Sequence, residues 1–304
     1  MHERPTVRDF SQDHRWLSLN TATVRKSRGQ DLPLTTILDA CAERGIHAVS
    51  PWRDQVHAVG LTEVSRRIKA HGLELSGYCR GGMFPATDAQ GLKDALEDNR
   101  RALDEACELG APCLVLVVGG LPGALQGKAV HKDIALARTQ VRDGIAALLE
   151  DARERHMPLA IEPLHPMYAA DRACVNTLAQ ALDLCDALDP QPLGASGTPA
   201  LGVALDVYHT WWDPQLQEGI VRAGQGRRIL AFHVCDWLTP TRDLLNDRGM
   251  MGDGVIDIPR IRGWVEATGF SGYSEVEIFS TQDWWQRPHE EVLDTCIARH
   301  RSAV

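Results

Sequence analysis

Residues 113–120 read CLVLVVGG, residues 135–156 read ALARTQVRDGIAALLEDARERH, and residues 158–163 read PLAIEP. The first and third segments are short apolar runs, as expected of strands buried on both faces. The middle one carries apolar residues at helical spacing. A strand, a helix and a second strand in that order build a parallel unit. The same unit recurs outward in both directions. WLSLNTATV (16–24), HAVSPW (47–52) and LELSGYCR (73–80) precede it, and LGVALDVYH (201–209), ILAFHVCDW (229–237) and YSEVEIFS (273–280) follow. Helical spacing marks 34–45, 61–72, 91–110, 177–188, 258–269 and 287–300, several of these segments stopping at a glycine as a helix end does.

Eight strands alternating with helices over 304 residues predict an α/β fold, a parallel (β/α)8 TIM barrel of one domain spanning 1–304, with residues 1–14 as an extended arm. An open doubly wound sheet alternates in the same way. It normally carries a glycine fingerprint after its first strand, whereas here that segment reads NTATVRKSRGQD (20–31), and there is no P-loop.

The composition is that of a folded chain, 44% hydrophobic and 24% charged, with Lys+Arg 32 against Asp+Glu 41 and a net charge of -9. Disorder is excluded for most of the length, and a nucleic-acid partner is disfavoured by the acidic balance. The eight cysteines are scattered, with no Cys-x-x-Cys pair, and read as thiols of a reducing compartment. With neither a signal-like leader nor a membrane-length apolar run, the expected location is cytoplasmic, away from membranes.

In a parallel barrel the chemistry sits at the carboxyl ends of the strands. Four apolar runs are broken there by a polar residue, Glu162 after PLAI, Asp206 after LGVAL, His233 after ILAF and Glu277 in SEVEIF. Any one of them alone reads as a cap, a salt-bridge partner or a core histidine. Together, on the fifth to eighth strands, three carboxylates and an imidazole call for a cation, since they would otherwise repel and desolvate one another. A donor set rich in oxygen, with one imidazole and no thiolate, suits one divalent ion, Mn, Mg, Co or Zn. Glu275 has the same parity as Glu277, so a slip of the strand would exchange the two.

The segments IEPLHP (161–166), LDVYH (205–209), FHVCDW (232–237), GDGVIDIPRI (252–261) and SEVEIFS (274–280) resemble the xylose isomerase-like barrel superfamily, especially its sugar phosphate isomerase and epimerase group and the inosose isomerases and dehydratases. The resemblance covers nearly the whole chain. It implies that Glu162, Asp206, His233 and Glu277 bind one divalent ion and that His209 touches the substrate. His165 is an acid/base or supporting candidate, and Asp236 either fixes an imidazole tautomer or caps a loop. Arg248, ahead of Arg242, and Arg80 at the third strand end are candidates for substrate oxygens, with the glycines after Arg80 letting a ligand approach the backbone. Trp16, Trp52, Trp211, Trp212, Trp237, Trp284 and Trp285 fall near strand ends, where flat rings suit the C–H faces of a carbohydrate or cyclitol, Trp237 being the preferred contact. Trp264 reads as helix core.

The expected activity is that of a metal-dependent sugar or cyclitol isomerase or epimerase. Glu162 and Glu277 would be the catalytic carboxylates, transferring a proton through an enediolate. A dehydratase or lyase acting on a keto-sugar or inosose is the alternative. An apurinic endonuclease-like hydrolase fits less well, because Asn246 and Arg248 stand where a D-x-H pair would be needed. A non-catalytic sugar-binding role is disfavoured by the intact ligand set. A homodimer or homotetramer is expected, with DWWQRPHEEV (283–292) sealing a neighbouring subunit's mouth.

Overall fold

The apolar runs become strands and the spaced segments become helices. The computed structural model describes residues 7–190 and 197–304. Its main strands are β1 (Leu17–Asn20), β2 (Ala48–Ser50), β3 (Glu74–Leu75), β4 (Tyr78–Gly82), β5 (Leu114–Val117), β6 (Leu159–Ile161), β7 (Leu201–Asp206), β8 (Ile229–Val234) and β9 (Ser274–Val276). The longer helices between and after them are α1 (Leu34–Glu43), α2 (Arg53–Val59), α3 (Leu61–His71), α4 (Ala89–Leu109), α5 (Ile134–Glu154), α6 (Leu178–Leu188), α7 (Leu216–Gln225), α8 (Ile258–Ala267) and α9 (His289–Ala303). Where the sequence shows one apolar run at 73–80, the structure makes two strands. The break falls at Ser76, whose hydroxyl turns to the side chains of Ser18 and Glu275. No helix among the described residues is long and apolar enough to cross a membrane.

The chain forms two compact units, one ending at Tyr78 and resuming at Ala231, the other running over Cys79–Leu230. In the first unit the strand order is β3-β2-β1-β9-β8. Its pairings are parallel, with Leu19 opposite both Val49 and Val276, and His233 opposite Glu275. In the second unit the order is β7-β6-β5-β4, and Ile161 of β6 lies parallel to Leu116 on one side and Val203 on the other. All residues of β1 and of β7 are buried, as two-sided burial of parallel strands requires.

Helix ends follow local chemistry. The Asp88 carboxylate caps α4 by accepting the Gly91 N–H, and the helix stops at Gly110 in the left-handed conformation. Inside α4, Asn99 serves the neighbouring strand: its Oδ1 accepts the Gly82 N–H at 2.6 Å and its Nδ2 donates to the Gly82 carbonyl at 2.7 Å. Gly82 has a φ of +107°, and a Cβ there would lie 1.9 Å from the Val117 carbonyl oxygen. Close packing of β4 against β5 therefore demands this glycine.

The expected arm at 1–14 falls partly outside the described residues, but from Arg8 onward the segment is docked in the first unit. Glu266 on α8 accepts both the Arg8 backbone N–H, at 2.8 Å, and its guanidinium, at 2.9 Å. Phe10 is buried and stacks on His300 of α9, with ring centroids 4.5 Å apart, while the Arg262 guanidinium sits 4.1 Å from the Phe10 centroid. Neither ring nitrogen of His300 has a hydrogen-bond partner among the described residues. Burial, aided by the positive charge of Arg262, pushes its pKa from 6.5 down to about 3. Between those two values the unfolded chain holds a proton that the folded chain refuses, so stability falls as pH drops from 6.5 toward 3. Wild-type protein is expected to lose about 2 kcal/mol between pH 7 and pH 5 from this group alone. His300→Phe, which keeps the stack, should lose correspondingly less, as read from urea unfolding midpoints at the two pH values.

Candidate functional site

In the second unit the chain just past β6 carries Glu162, whose N–H continues the ladder by donating to Leu116 O at 3.1 Å. Asp206 closes β7 and caps the turn that follows, accepting the Tyr208 N–H on Oδ1 at 2.8 Å. Its Oδ2 lies 3.6 Å from His209 Nε2. The backbone N–H of His165 donates to His209 Nδ1 at 3.2 Å. That makes Nδ1 the acceptor, so the ring proton sits on Nε2 and faces Asp206. Tyr168 and Tyr208 meet the His209 ring edge-on, with centroids 5.9 and 5.5 Å away. His209 is thus buried beside Asp206, with Nε2 on the carboxylate side. His165 is half-buried and packs edge-on to Trp212, and burial pushes its pKa below the usual imidazole range. The loop that carries it is held by Asn176, whose Nδ2 donates to the carbonyls of Leu164 and Ala173. Arg80, on β4, is also half-buried.

In the first unit His233 is fully buried on β8. Its Nδ1 lies 3.7 Å from Glu277 Oε2 and its Nε2 lies 3.5 Å from Glu275 Oε1. Glu277 sits one residue beyond β9, its N–H donating to Val234 O at 3.2 Å. Arg248 reaches Glu277 Oε2 at 3.1 Å while its guanidinium lies 5.1 Å from the Phe279 ring centroid. Burial pushes the Glu277 carboxyl up, yet the interactions led by the Arg248 charge outweigh it and hold the group below the usual carboxylate range.

A short antiparallel ribbon delivers Arg248. It pairs Asp236 with Gly249 and Trp237 with Arg248. Of the two roles open to Asp236 in the sequence, the structure selects the loop. Its carboxylate accepts the N–H groups of Trp237, Gly252, Gly254 and Ile256 at 2.8–3.0 Å. Arg242, the other arginine of this segment, is committed to Asp247 and to Gln282.

The tryptophans divide. Trp52 is half-exposed and stands edge-on to Phe279 at 5.4 Å, in a cluster with Trp285 and Ala22. Trp237, Trp284 and Trp285 are buried, Trp285 donating to Ala22 O at 3.0 Å and Trp284 lying under Arg287. Both Trp284 and Trp285 thus pack within their own unit. Trp16 precedes β1 and lies under Arg8, at the amino end of the strand. Trp264 is half-exposed beneath Arg260 and is not helix core.

A parallel β/α chain that places acidic and imidazole side chains where its strands end defines a recognisable class. The chain belongs to the xylose isomerase-like TIM barrel family, which matches residues 38–298. The fold is thus the expected α/β barrel and not the open sheet. The crystal structure of protein SMc04130 from Sinorhizobium meliloti 1021 is similar at 56% sequence identity and a TM-score of 0.87, over 95% of this chain and 98% of that one. More distant likenesses are to the IOLI protein with a binding zinc atom, at 19% identity, TM-score 0.73 and coverage of 92% and 94%. The apo 3-keto-D-glucoside 4-epimerase YcjR from E. coli is similar at 17% identity, TM-score 0.71 and coverage of 94% and 99%. Among functionally curated proteins, none matches this sequence.

Removing Arg248 strands a buried carboxylate. Arg248→Met is expected to destabilise the metal-free protein by about 3 kcal/mol, measured by chemical denaturation at neutral pH. A loss below about 1 kcal/mol would mean that the pair contributes no more than a surface salt bridge does.

Proposed function

We propose that this chain is a divalent-metal-dependent isomerase or epimerase of a small sugar or cyclitol. In this reading Glu162, Asp206, His233 and Glu277 hold the ion, and Glu162 and Glu277 move the proton. The carrying observation is burial. These four ligand-type side chains are only 5%, 0%, 0% and 3% exposed, each at the carboxyl end of its own strand. Carboxylates at that depth need an answering cation or dense hydrogen bonding. Three oxygen donors with one imidazole fit Mn, Mg, Co or Zn, and the zinc-binding IOLI structure supports a metal in this fold.

A divalent ion bound there would supply Lewis acidity, making the C–H beside a substrate carbonyl easier to deprotonate. The protein's own groups do the rest. Glu277, kept ionised by Arg248, accepts a proton from carbon, and Glu162 returns one to the neighbouring carbon or to the opposite face. His209 keeps Asp206 in its orientation. Half-buried His165 and Arg80 are the polar groups offered to substrate oxygens, and half-exposed Trp52 is the flat ring offered to a sugar face. Arg248 and Trp237, both expected as substrate contacts, act in this reading through Glu277 and through the ribbon that carries them. The likeness to a 3-keto-D-glucoside epimerase supports a sugar ketone as the substrate class.

The test strips the protein with a chelator and restores Mn, Co, Mg or Zn one at a time. Exchange of substrate hydrogen with solvent deuterium is then followed over ketoses, ketose phosphates and inososes. Exchange is expected only with metal. Glu277→Gln should keep substrate binding and lose exchange by about 10²–10⁴-fold. Unchanged exchange in that variant, or exchange in none of the panel, overturns the proposal.

A further inference from the structure

We infer that Glu275 is the positioning residue of His233, and that a hydrogen-bond chain from Trp52 through Asn20 to Glu275 fixes which ring nitrogen carries the proton. The inference rests on the reading of His233 as a metal ligand and concerns groups of the first unit alone.

The chain can be followed donor by donor. An indole N–H can only donate. Trp52 Nε1 lies 2.7 Å from Asn20 Oδ1, which also accepts the Ala22 N–H at 3.1 Å. These two donors settle the orientation of the amide, so the other Asn20 atom is the NH2 group, which donates to Glu275 Oε1 at 2.8 Å. On the opposite side of the carboxylate, Ser76 Oγ donates to Glu275 Oε2 at 2.7 Å. With the Ser76 proton spent there, Ser18, 2.6 Å away, is the donor to Ser76. Glu275 therefore accepts on both oxygens, and Oε1 is the atom that faces His233 Nε2 at 3.5 Å. The β8–β9 register places the two residues directly opposite each other.

An acceptor at that position favours the proton on Nε2. The neutral ring then carries its lone pair on Nδ1, the nitrogen on the Glu277 side. Holding the far N–H of a ligand histidine with a carboxylate fixes its tautomer and strengthens it as a donor to metal. The roles of the two glutamates on β9 and just beyond it follow. Glu275, held on both oxygens by neutral donors, orients the imidazole, whereas Glu277, paired with Arg248, is the ligand and base.

The ring can be read before any metal is added. Metal-free protein labelled with nitrogen-15 at histidine is recorded in a two-bond nitrogen–proton correlation spectrum, with His233→Gln identifying the signal. A neutral His233 ring protonated at Nε2 alone is the expected result, and a ring protonated at Nδ1, at both nitrogens or as an even mixture overturns the inference. Cobalt(II) affinity is then measured by competition with a chelator. Glu275→Gln, which retains an acceptor, should keep the tautomer. Glu275→Ala should mix the tautomers and weaken cobalt binding by about tenfold or more. Should the alanine variant fail to fold, Trp52→Phe keeps the ring and removes only the N–H that orients Asn20. It is expected to shift the tautomer toward a mixture and weaken cobalt severalfold, and an unchanged spectrum and affinity would overturn the inference. Cobalt binding that is equal in wild type and His233→Gln would remove the metal reading instead, while the spectrum of the metal-free ring still decides the role of Glu275.

Discussion

A carboxylate removed from water must be answered by charge or by hydrogen bonds, and this requirement organises the polar interior of the protein. The penalty for an unanswered group amounts to several kcal/mol, comparable to the whole stability of a domain. Four of the buried acids meet it in different ways. Glu277 takes the Arg248 guanidinium, and Asp206 takes a backbone N–H and an imidazole. Glu275 takes an amide and a hydroxyl, and Asp236 takes only backbone N–H groups. Acids stabilised by fixed N–H groups stay where they are. Glu277 instead depends on a side chain carried by a separate ribbon.

The two histidines at the strand ends show the same logic from the side of the base. His209 has one nitrogen assigned by a backbone N–H, and the inferred role of Glu275 does the same for His233. The opposite nitrogen is turned toward an acid, Asp206 for His209 and Glu277 for His233. His300 is the contrast. It is buried against Phe10 beside positively charged groups, and its contribution to the molecule is a liability in acid.

Much of this was legible from residue order, because strands and helices follow from apolar spacing and a polar residue ending an apolar run is conspicuous. Glu162, Asp206, His233 and Glu277 stand out for that reason. Side-chain partners are another matter, since spacing along a chain does not say which group a given donor meets in space. The Arg248–Glu277 pair spans 29 positions and depends on the ribbon that pairs Trp237 with Arg248. Asn20, Ser18 and Ser76 look like ordinary interruptions of apolar runs until Glu275 is seen among them. Asn99, in the middle of a helix, carried no signal at all, although it fastens the backbone of Gly82. The division of the 73–80 run and the docking of the segment from Arg8 were equally hidden, because both are decided by distant side chains.

The ribbon at Asp236–Trp237 and Arg248–Gly249 is pinned at its base, with the Asp236 carboxylate clamping the loop that follows the returning strand through Gly252, Gly254 and Ile256. The excursion it closes, residues 238–247, is tied in turn to the chain beyond β9, Asp247 bridging Ser280 and Asn246 O accepting the Thr281 N–H at 3.0 Å. Arg248 continues the same ladder, its N–H donating to Phe279 O at 2.9 Å, so a change in the excursion is carried along the backbone to the arginine itself.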